Sequence, residues 1–310
     1  MKSHDEKGPV TVTTNPFDDD KLREECGVFG IYGHKDAAAH AALGLHALQH
    51  RGQEASGIVS CDGKQFHVHR GLGLVGDNFG SPAVMAKLRG NHAIGHTRYA
   101  TTGDTILRNV QPLYADFEFG GFAVGHNGNL TNAHSLRQQL VRRGCIFQST
   151  TDSEVIIHLM ALAEGDLVER LVTALRQMEG AYSFVAVARN RVIGVRDPLG
   201  VRPLVLGTLD GAYILASETC ALDIIGATYM REVEPVGPGT QPDVEEHRVG
   251  VEVLDLLPRD QDVRGRRDYE ALGGKYFGEQ RGHQHLVLRS EEHTSELQSR
   301  LHLVCRLLLE

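Results

Sequence analysis

The stretch CGVFGIYG, residues 26–33, is where the chain changes character. It is a short apolar run interleaved with glycines, and it reads as a strand. What precedes it is different in kind. Residues 1–25 are polar, contain Pro9, Pro16 and the acidic run Asp18, Asp19 and Asp20, and show neither a helical nor a strand period. A segment of that composition is expected to be a mobile leader. Cys26 therefore opens the first strand directly behind a dispensable stretch.

Downstream, DAAAHAALGLHALQH (36–50) has helical spacing, with Asp36 placed to cap it. ASGIVSC (55–61) and KQFHVHR (64–70) flank Asp62 and Gly63, a strong short hairpin signal. NHAIGHTRYA (91–100) and GGFAVGHNG (120–128) read as strands that end in glycine-bearing loops. Helices are predicted at 132–144, 151–163 and 166–178, followed by strand-like runs at AYSFVAVARN, RVIGVRD, PLVLGT and AYILAS. Grouped helices and strands joined by short turns favour antiparallel sheets with helices packed outside, an α+β arrangement, over a Rossmann alternation. From residue 241 to 288 the chain is charged, with no sustained period. Residues 289–310 look like a translated sequencing-library adapter and are set aside from fold reasoning.

Composition narrows the function classes. Of 310 residues, 41% are apolar, enough for a sizeable core, and the formal net charge is −8. A nucleic-acid surface normally shows as a basic excess, so none is expected. No apolar run reaches the roughly 20 residues of a membrane helix, and the start lacks a secretory h-region. A cytoplasmic protein with no membrane partner is expected. The five cysteines, Cys26, Cys61, Cys145, Cys220 and Cys305, are widely spaced, which disfavours a disulfide scaffold or a zinc cage. No metal site is expected: His92 and His96 lie on a strand and would not share a face as on a helix, and His67 with His69 reads as an exposed pair. GLGLVG (71–76) fits a dinucleotide pattern, but no βαβ unit surrounds it.

Five groups together supply what amide hydrolysis of glutamine needs. If the Glu25–Cys26 bond is cleaved, the Cys26 thiol sits beside its own α-amine. The pKa of such an amine is about 7.7–8.0, so it can serve as the base. Arg98 can grip a carboxylate with its guanidinium fork. Asn127, through its side chain, and Gly128, through its backbone, can donate to an oxyanion. Asp152, at a helix start, can receive an ammonium group. Each has a plainer alternative: a small buried cysteine, a surface arginine, an Asn-Gly turn, and a helix start capped by Thr151 with Glu154.

Nine motifs in order tip the balance: EECGVFGIYG, LQHRGQEASGIV, HTRYATTG, NVQPL, HNGNL, TDSEV, DPLGVRPL, ASETCAL and GATYMREVEP. Over residues 24–237 the chain resembles the glutaminase half of the amidophosphoribosyltransferase family. The resemblance implies an N-terminal-nucleophile hydrolase fold, an αββα four-layer sandwich of two antiparallel sheets between helical layers, over residues 26–240. It implies Cys26 as a nucleophile released by self-cleavage, Asn127 and Gly128 as the oxyanion site, and Arg98 with Thr101 on the glutamine α-carboxylate. Asp152 would hold the α-amino group, and Arg51 and Gly52 would line the same pocket. DPLGVRPL is expected to be a structural turn.

The resemblance also implies ammonia transfer to phosphoribosyl pyrophosphate, giving phosphoribosylamine in the first step of purine synthesis, by a homo-oligomeric full-length enzyme. The phosphoribosyl pyrophosphate-binding motif is not found here, and residues 241–288 are too short to supply it. Mg2+, and in some relatives a 4Fe–4S cluster, belong to that longer enzyme, and no cofactor is expected in this chain. Two alternatives stay open: an inert or misfolded fragment, and the glutaminase domain of another class II amidotransferase such as the aminosugar-forming synthase.

Overall fold

The structure, a computed structural model, describes residues 26–99, 106–235 and 250–255. The leader, Thr101, the tail from 289 onward, and all of 241–288 except 250–255 lie outside the described residues.

The chain runs β1 (Gly27–Tyr32), α1 (Ala37–Ala47), β2 (Ala55–Cys61), β3 (Phe66–Leu72), α2 (Val75–Phe79), α3 (Pro82–Met85), β4 (His92–Arg98), β5 (Leu113–Phe117) and β6 (Gly120–Leu130). It continues with α4 (Ala133–Arg142), α5 (Glu154–Leu162), α6 (Leu167–Leu175), β7 (Gly180–Ala188), β8 (Arg191–Arg196), β9 (Val205–Leu209), β10 (Ala212–Ala216), α7 (Cys220–Asp223), β11 (Thr228–Glu232) and β12 (Gly250–Asp255). The strands make a seven-stranded sheet, ordered β11-β9-β10-β1-β4-β2-β3, and a five-stranded sheet, ordered β12-β8-β7-β6-β5. Every paired neighbour is antiparallel.

Three apolar layers follow from strand alternation. Phe29, Ile31, Ile58 and Ile214 pack outward from the first sheet against Ala41 and Leu45 of α1, with Phe79 and Leu222 beside them. Phe122, Val124, Tyr182 and Phe184 pack outward from the second sheet against Leu140, Ile156 and Leu171 of α4, α5 and α6. Between the sheets lie Val28, Ile94, Ala123, Val185, Val187 and Leu215. The result is the expected sandwich of two antiparallel sheets between helical layers.

Several local expectations change. Asp36 precedes α1 but makes no side-chain cap. Thr151 and Glu154 do not form a capping box. Ser153 occupies the cap position of α5, and the Glu154 carboxylate instead accepts from the Gln148 and Ser149 N–H groups at 2.7 Å each. A true capping box starts α6, from Asp166 and Glu169. The 250–255 segment is an edge strand paired with β8, Val251 against Val195 and Val253 against Ile193. Six residues among charged neighbours are too short a run for its period of two to stand out. His92 and His96 do share a face, since alternate strand residues point the same way, but four residues of strand hold them on the order of 13 Å apart. His67 and His69 are half-buried rather than exposed, with His69 edge-on to Phe79.

DPLGVRPL is the structural turn expected. Asp197 is fully buried, and its carboxylate accepts from the N–H groups of Leu199, Val201, Arg202 and Tyr182 at 3.0–3.3 Å. Replacing it with Ala strands the buried Tyr182 N–H, at about 1–3 kcal/mol, and removes the charge-assisted bonds, about 1.5–3 kcal/mol each, that hold the partly exposed 199–202 turn. Asp197→Ala should therefore lower the unfolding free energy by at least about 3 kcal/mol in urea titration, and a loss below about 1 kcal/mol would show the turn to be held some other way.

Candidate active site

Cys26 stands at the start of β1 and Arg98 at the end of β4, brought side by side because Gly27 pairs with Thr97. The thiol of Cys26 lies 3.5 Å from the Tyr99 carbonyl, next to Arg98 along the chain. Val28, Ile94 and Tyr32 set the inner face of these two strands, and Arg98 falls on it by alternation.

β6 crosses beneath this face. A Cβ built on Gly121 would touch Phe66, and one built on Gly125 would stand 3.6 Å from the His96 Cβ and 3.7 Å from Val28. The strand therefore travels toward the Cys26 and Arg98 end. Asn127, two residues beyond Gly125, faces the same inter-sheet space. Its side chain is fully buried, and neither its Oδ1 nor its Nδ2 has a hydrogen-bond partner among the described residues. Buried amides are normally satisfied, so such an orphan calls for a ligand or water. Gly128 follows at φ +143°, where a Cβ would lie 2.1 Å from the Ala181 carbonyl oxygen. Only glycine fits there.

Asp152 reaches the far end of β6 from the helical side. Its Oδ2 accepts from the Leu130 N–H at 3.0 Å and its Oδ1 from the Ser153 hydroxyl at 3.2 Å, with His126 Nδ1 at 3.7 Å. Burial pushes its carboxyl pKa up, but the His126 ring, the Leu130 amide and the Ser153 hydroxyl outweigh that and bring it down to about 2.

Arg51 and Gly52 sit directly against this cluster. The Arg51 side chain is 1% exposed, its Nε donates to the Cys26 carbonyl at 2.8 Å, and its Nη1 meets the Glu218 carboxylate. Arg51 thus grips the backbone of Cys26 with one end of its guanidinium and Glu218 with the other. A Cβ on Gly52 would stand 2.5 Å from the Arg98 carbonyl carbon, so this glycine lets the 51–52 turn lie on β4. Thr101 lies outside the described residues.

Sequence reasoning missed the side chains that connect these parts. Asn109 accepts from Arg98 Nη1 through its carbonyl at 3.1 Å, while its side chain pairs with Thr150 at 2.8 and 3.0 Å, two residues before Asp152. Gln111 accepts from the His126 N–H at 2.8 Å and donates to the Ser153 hydroxyl at 3.1 Å. His96, held neutral by burial with its pKa near 3, donates through Nε2 to the His126 carbonyl at 2.9 Å. Ser217 and Glu218 hold the start of β1. The motifs NVQPL and ASETCAL were the available signal, without roles attached. Among the described residues, no group of three or more His, Cys, Asp or Glu could hold a metal ion, and no helix is long and apolar enough to cross a membrane.

Comparison with known proteins bears on the fold and on the family the chain resembles. The family described as Glutamine amidotransferase domain matches residues 96–223. An amidophosphoribosyltransferase of Rhizobium etli is 58% identical over 223 residues, covering 72% of this chain and 45% of that protein. The Bacillus subtilis amidophosphoribosyltransferase is 47% identical over 216 residues, covering 69% of this chain and 45% of that one. The solved glutamine phosphoribosylpyrophosphate amidotransferase of B. subtilis, complexed with ADP and GMP, superposes with a TM-score of 0.65 at 46% identity, over 68% of this chain and 46% of that chain. The fold is thus that of the N-terminal-nucleophile hydrolases, as the resemblance implied. The chain spans less than half the length of these relatives.

The depressed pKa of Asp152 has a testable sign. A carboxyl lowered from 3.8 to about 2 on folding contributes stability that is fully present above pH 4 and lost as pH falls through 2. Asp152→Asn should cost about 2 kcal/mol near neutrality, and the gap to the parent should close between pH 4 and 2 when unfolding is followed against pH. A gap independent of pH would show that the carboxylate is not held by these donors.

Proposed function

We propose that this chain, whose glutamine amidotransferase domain is similar to the front half of amidophosphoribosyltransferases, hydrolyses glutamine with Cys26 as nucleophile. The observation that carries the proposal is the buried Asn127 amide, without a partner among the described residues, on the same inter-sheet face as Arg98 and toward the Cys26 end of β1.

In this mechanism the Glu25–Cys26 bond is cleaved first, which frees the α-amine. The amine takes the thiol proton, and the thiolate attacks the carboxamide carbon of glutamine. Asn127 Nδ2–H and the Gly128 N–H receive the developing oxyanion. The protonated amine gives its proton to the departing nitrogen, and ammonia leaves. Water, deprotonated by the same amine, opens the γ-glutamyl thioester to glutamate and restores the thiol. Arg98 and Thr101 hold the substrate α-carboxylate and Asp152, ionised throughout the neutral range, its α-ammonium group. Arg51 and Gly52 shape the wall behind Cys26. An anchor pair of opposite charges selects an amino acid over a simple amide.

In the longer protein the ammonia would pass to phosphoribosyl pyrophosphate, making phosphoribosylamine for purine synthesis in a cytoplasmic homo-oligomer. Mg2+, and in some relatives a 4Fe–4S cluster, would belong to that longer enzyme.

The purified chain, incubated with glutamine, should release glutamate, and intact mass should show loss of residues 1–25 in the active form. Cys26→Ala should abolish release. Asn127→Ala should lower kcat by about 10²–10³ with a smaller change in KM. A folded, cleaved sample that releases no glutamate overturns the proposal and leaves the inert fragment.

A further inference from the structure

Ser217 and Glu218, in the ASETCAL segment, take no part in the chemistry above, yet both reach back to the first residues of β1. The Ser217 N–H donates to the Val28 carbonyl at 3.0 Å, and its hydroxyl accepts from the Val28 N–H at 2.9 Å. Glu218 acts one step further out. Its carboxylate pairs with the Arg51 guanidinium, whose Nε donates to the Cys26 carbonyl at 2.8 Å. The Arg51 carbonyl in turn accepts from the Cys26 N–H at 2.9 Å. Arg51 thus holds both backbone polar groups of Cys26.

With Glu25 still attached, Cys26 sits at φ +70°, in the left-handed region, which persists only where neighbours enforce it. The Arg51 bond to the Cys26 carbonyl does not involve Glu25, so it can hold the residue after cleavage as well. The enforcing guanidinium is buried, and a buried cation without a counter-charge is expensive. Glu218 supplies that charge and is itself gripped from its other side by His50 Nε2 at 3.1 Å.

We propose that Glu218 is a positioning residue for Cys26, acting through Arg51. It fixes the guanidinium that grips the nucleophile's carbonyl, and so sets where the thiol and its α-amine stand against the oxyanion donors. The inference rests on Cys26 being the nucleophile proposed above. Among the described residues the Glu218 carboxylate meets Arg51, His50 and the Cys220 thiol. Its role is accordingly to place the attacking group, and its loss should fall on turnover rather than on glutamine affinity.

The test compares Glu218→Ala and Glu218→Gln with the parent chain by two readouts. The first is steady-state glutamine hydrolysis. Glu218→Ala should lower kcat about tenfold with KM within about twofold, because misplacement of a reacting group acts on the chemical step. Glu218→Gln keeps an acceptor for the guanidinium and should fall between. The second is the Arg51 Nε–H resonance in NMR, assigned by its loss in Arg51→Lys. It should exchange slowly with solvent in the parent and quickly in Glu218→Ala. Unchanged kcat in folded Glu218→Ala, a raised KM at constant kcat, or an equally protected Nε–H would each overturn the inference. If Glu218→Ala does not fold, Glu218→Gln decides by the same readouts. A parent chain that releases no glutamate counts against the nucleophile assignment alone, and the Nε–H comparison still decides the Glu218–Arg51 clamp.

Discussion

The two sheets meet across a contact that only glycine permits. A Cβ at Gly30, in the middle of β1, would stand 2.5 Å from Val185 Cγ1 on the opposite sheet. With no side chain there, β1 and β7 settle close together, and Val28, Ile94, Val187 and Leu215 pack as one layer between the sheets. Close approach in the middle fixes what happens at the end. The first residue of β1, the last of β4 and the distal part of β6 are carried to the same margin of the sandwich, and the candidate chemistry lies at that margin.

At this margin the backbone runs out of strand partners. β5 pairs with β6 only as far as Leu113 and Val124, so the His126 peptide has no neighbouring strand on that side. Its N–H is met by the Gln111 side chain and its carbonyl by His96. Side chains complete a ladder that the main chain abandons, as a buried peptide group requires. One residue on, Asn127 is paired with Ser183 of β7, and its side chain points into the space between the sheets. A related device appears at β1, where Ser217 meets both polar groups of the Val28 peptide on one side, its hydroxyl accepting from the N–H and its own N–H donating to the carbonyl.

Much of this was legible in the residues. Alternating apolar runs located β1, β2, β4, β6 and β7, and the helices α4 to α6 were visible from their spacing. Cys26, Arg98, Asn127, Gly128 and Asp152 could be named as candidates through the ordered run of motifs that contains them, since each alone has a plainer reading. What stayed hidden depends on partners far along the chain. Arg51 and Glu218 are 167 residues apart, and Asn109 with Thr150 are 41 apart. Nothing in linear spacing pairs them. Glu154 misled for the opposite reason: its spacing from Thr151 suits a cap, but tertiary packing offered it better donors at Gln148 and Ser149. The strand at 250–255 was missed because pairing with β8, more than its own pattern, defines it.

The place of β1 in its sheet also bears on how the chain is made. This strand emerges from the ribosome before any other described element, yet it occupies the middle of seven, flanked by β4 and β10. One flank is not synthesised until nearly the whole domain exists, since Val28 waits for a serine 189 residues later. Closing so long a loop is slow. The nascent protein therefore carries the Cys26 thiol through almost all of translation without the neighbours that Ser217 and Glu218 bring to β1, and gains them only as the final segments dock.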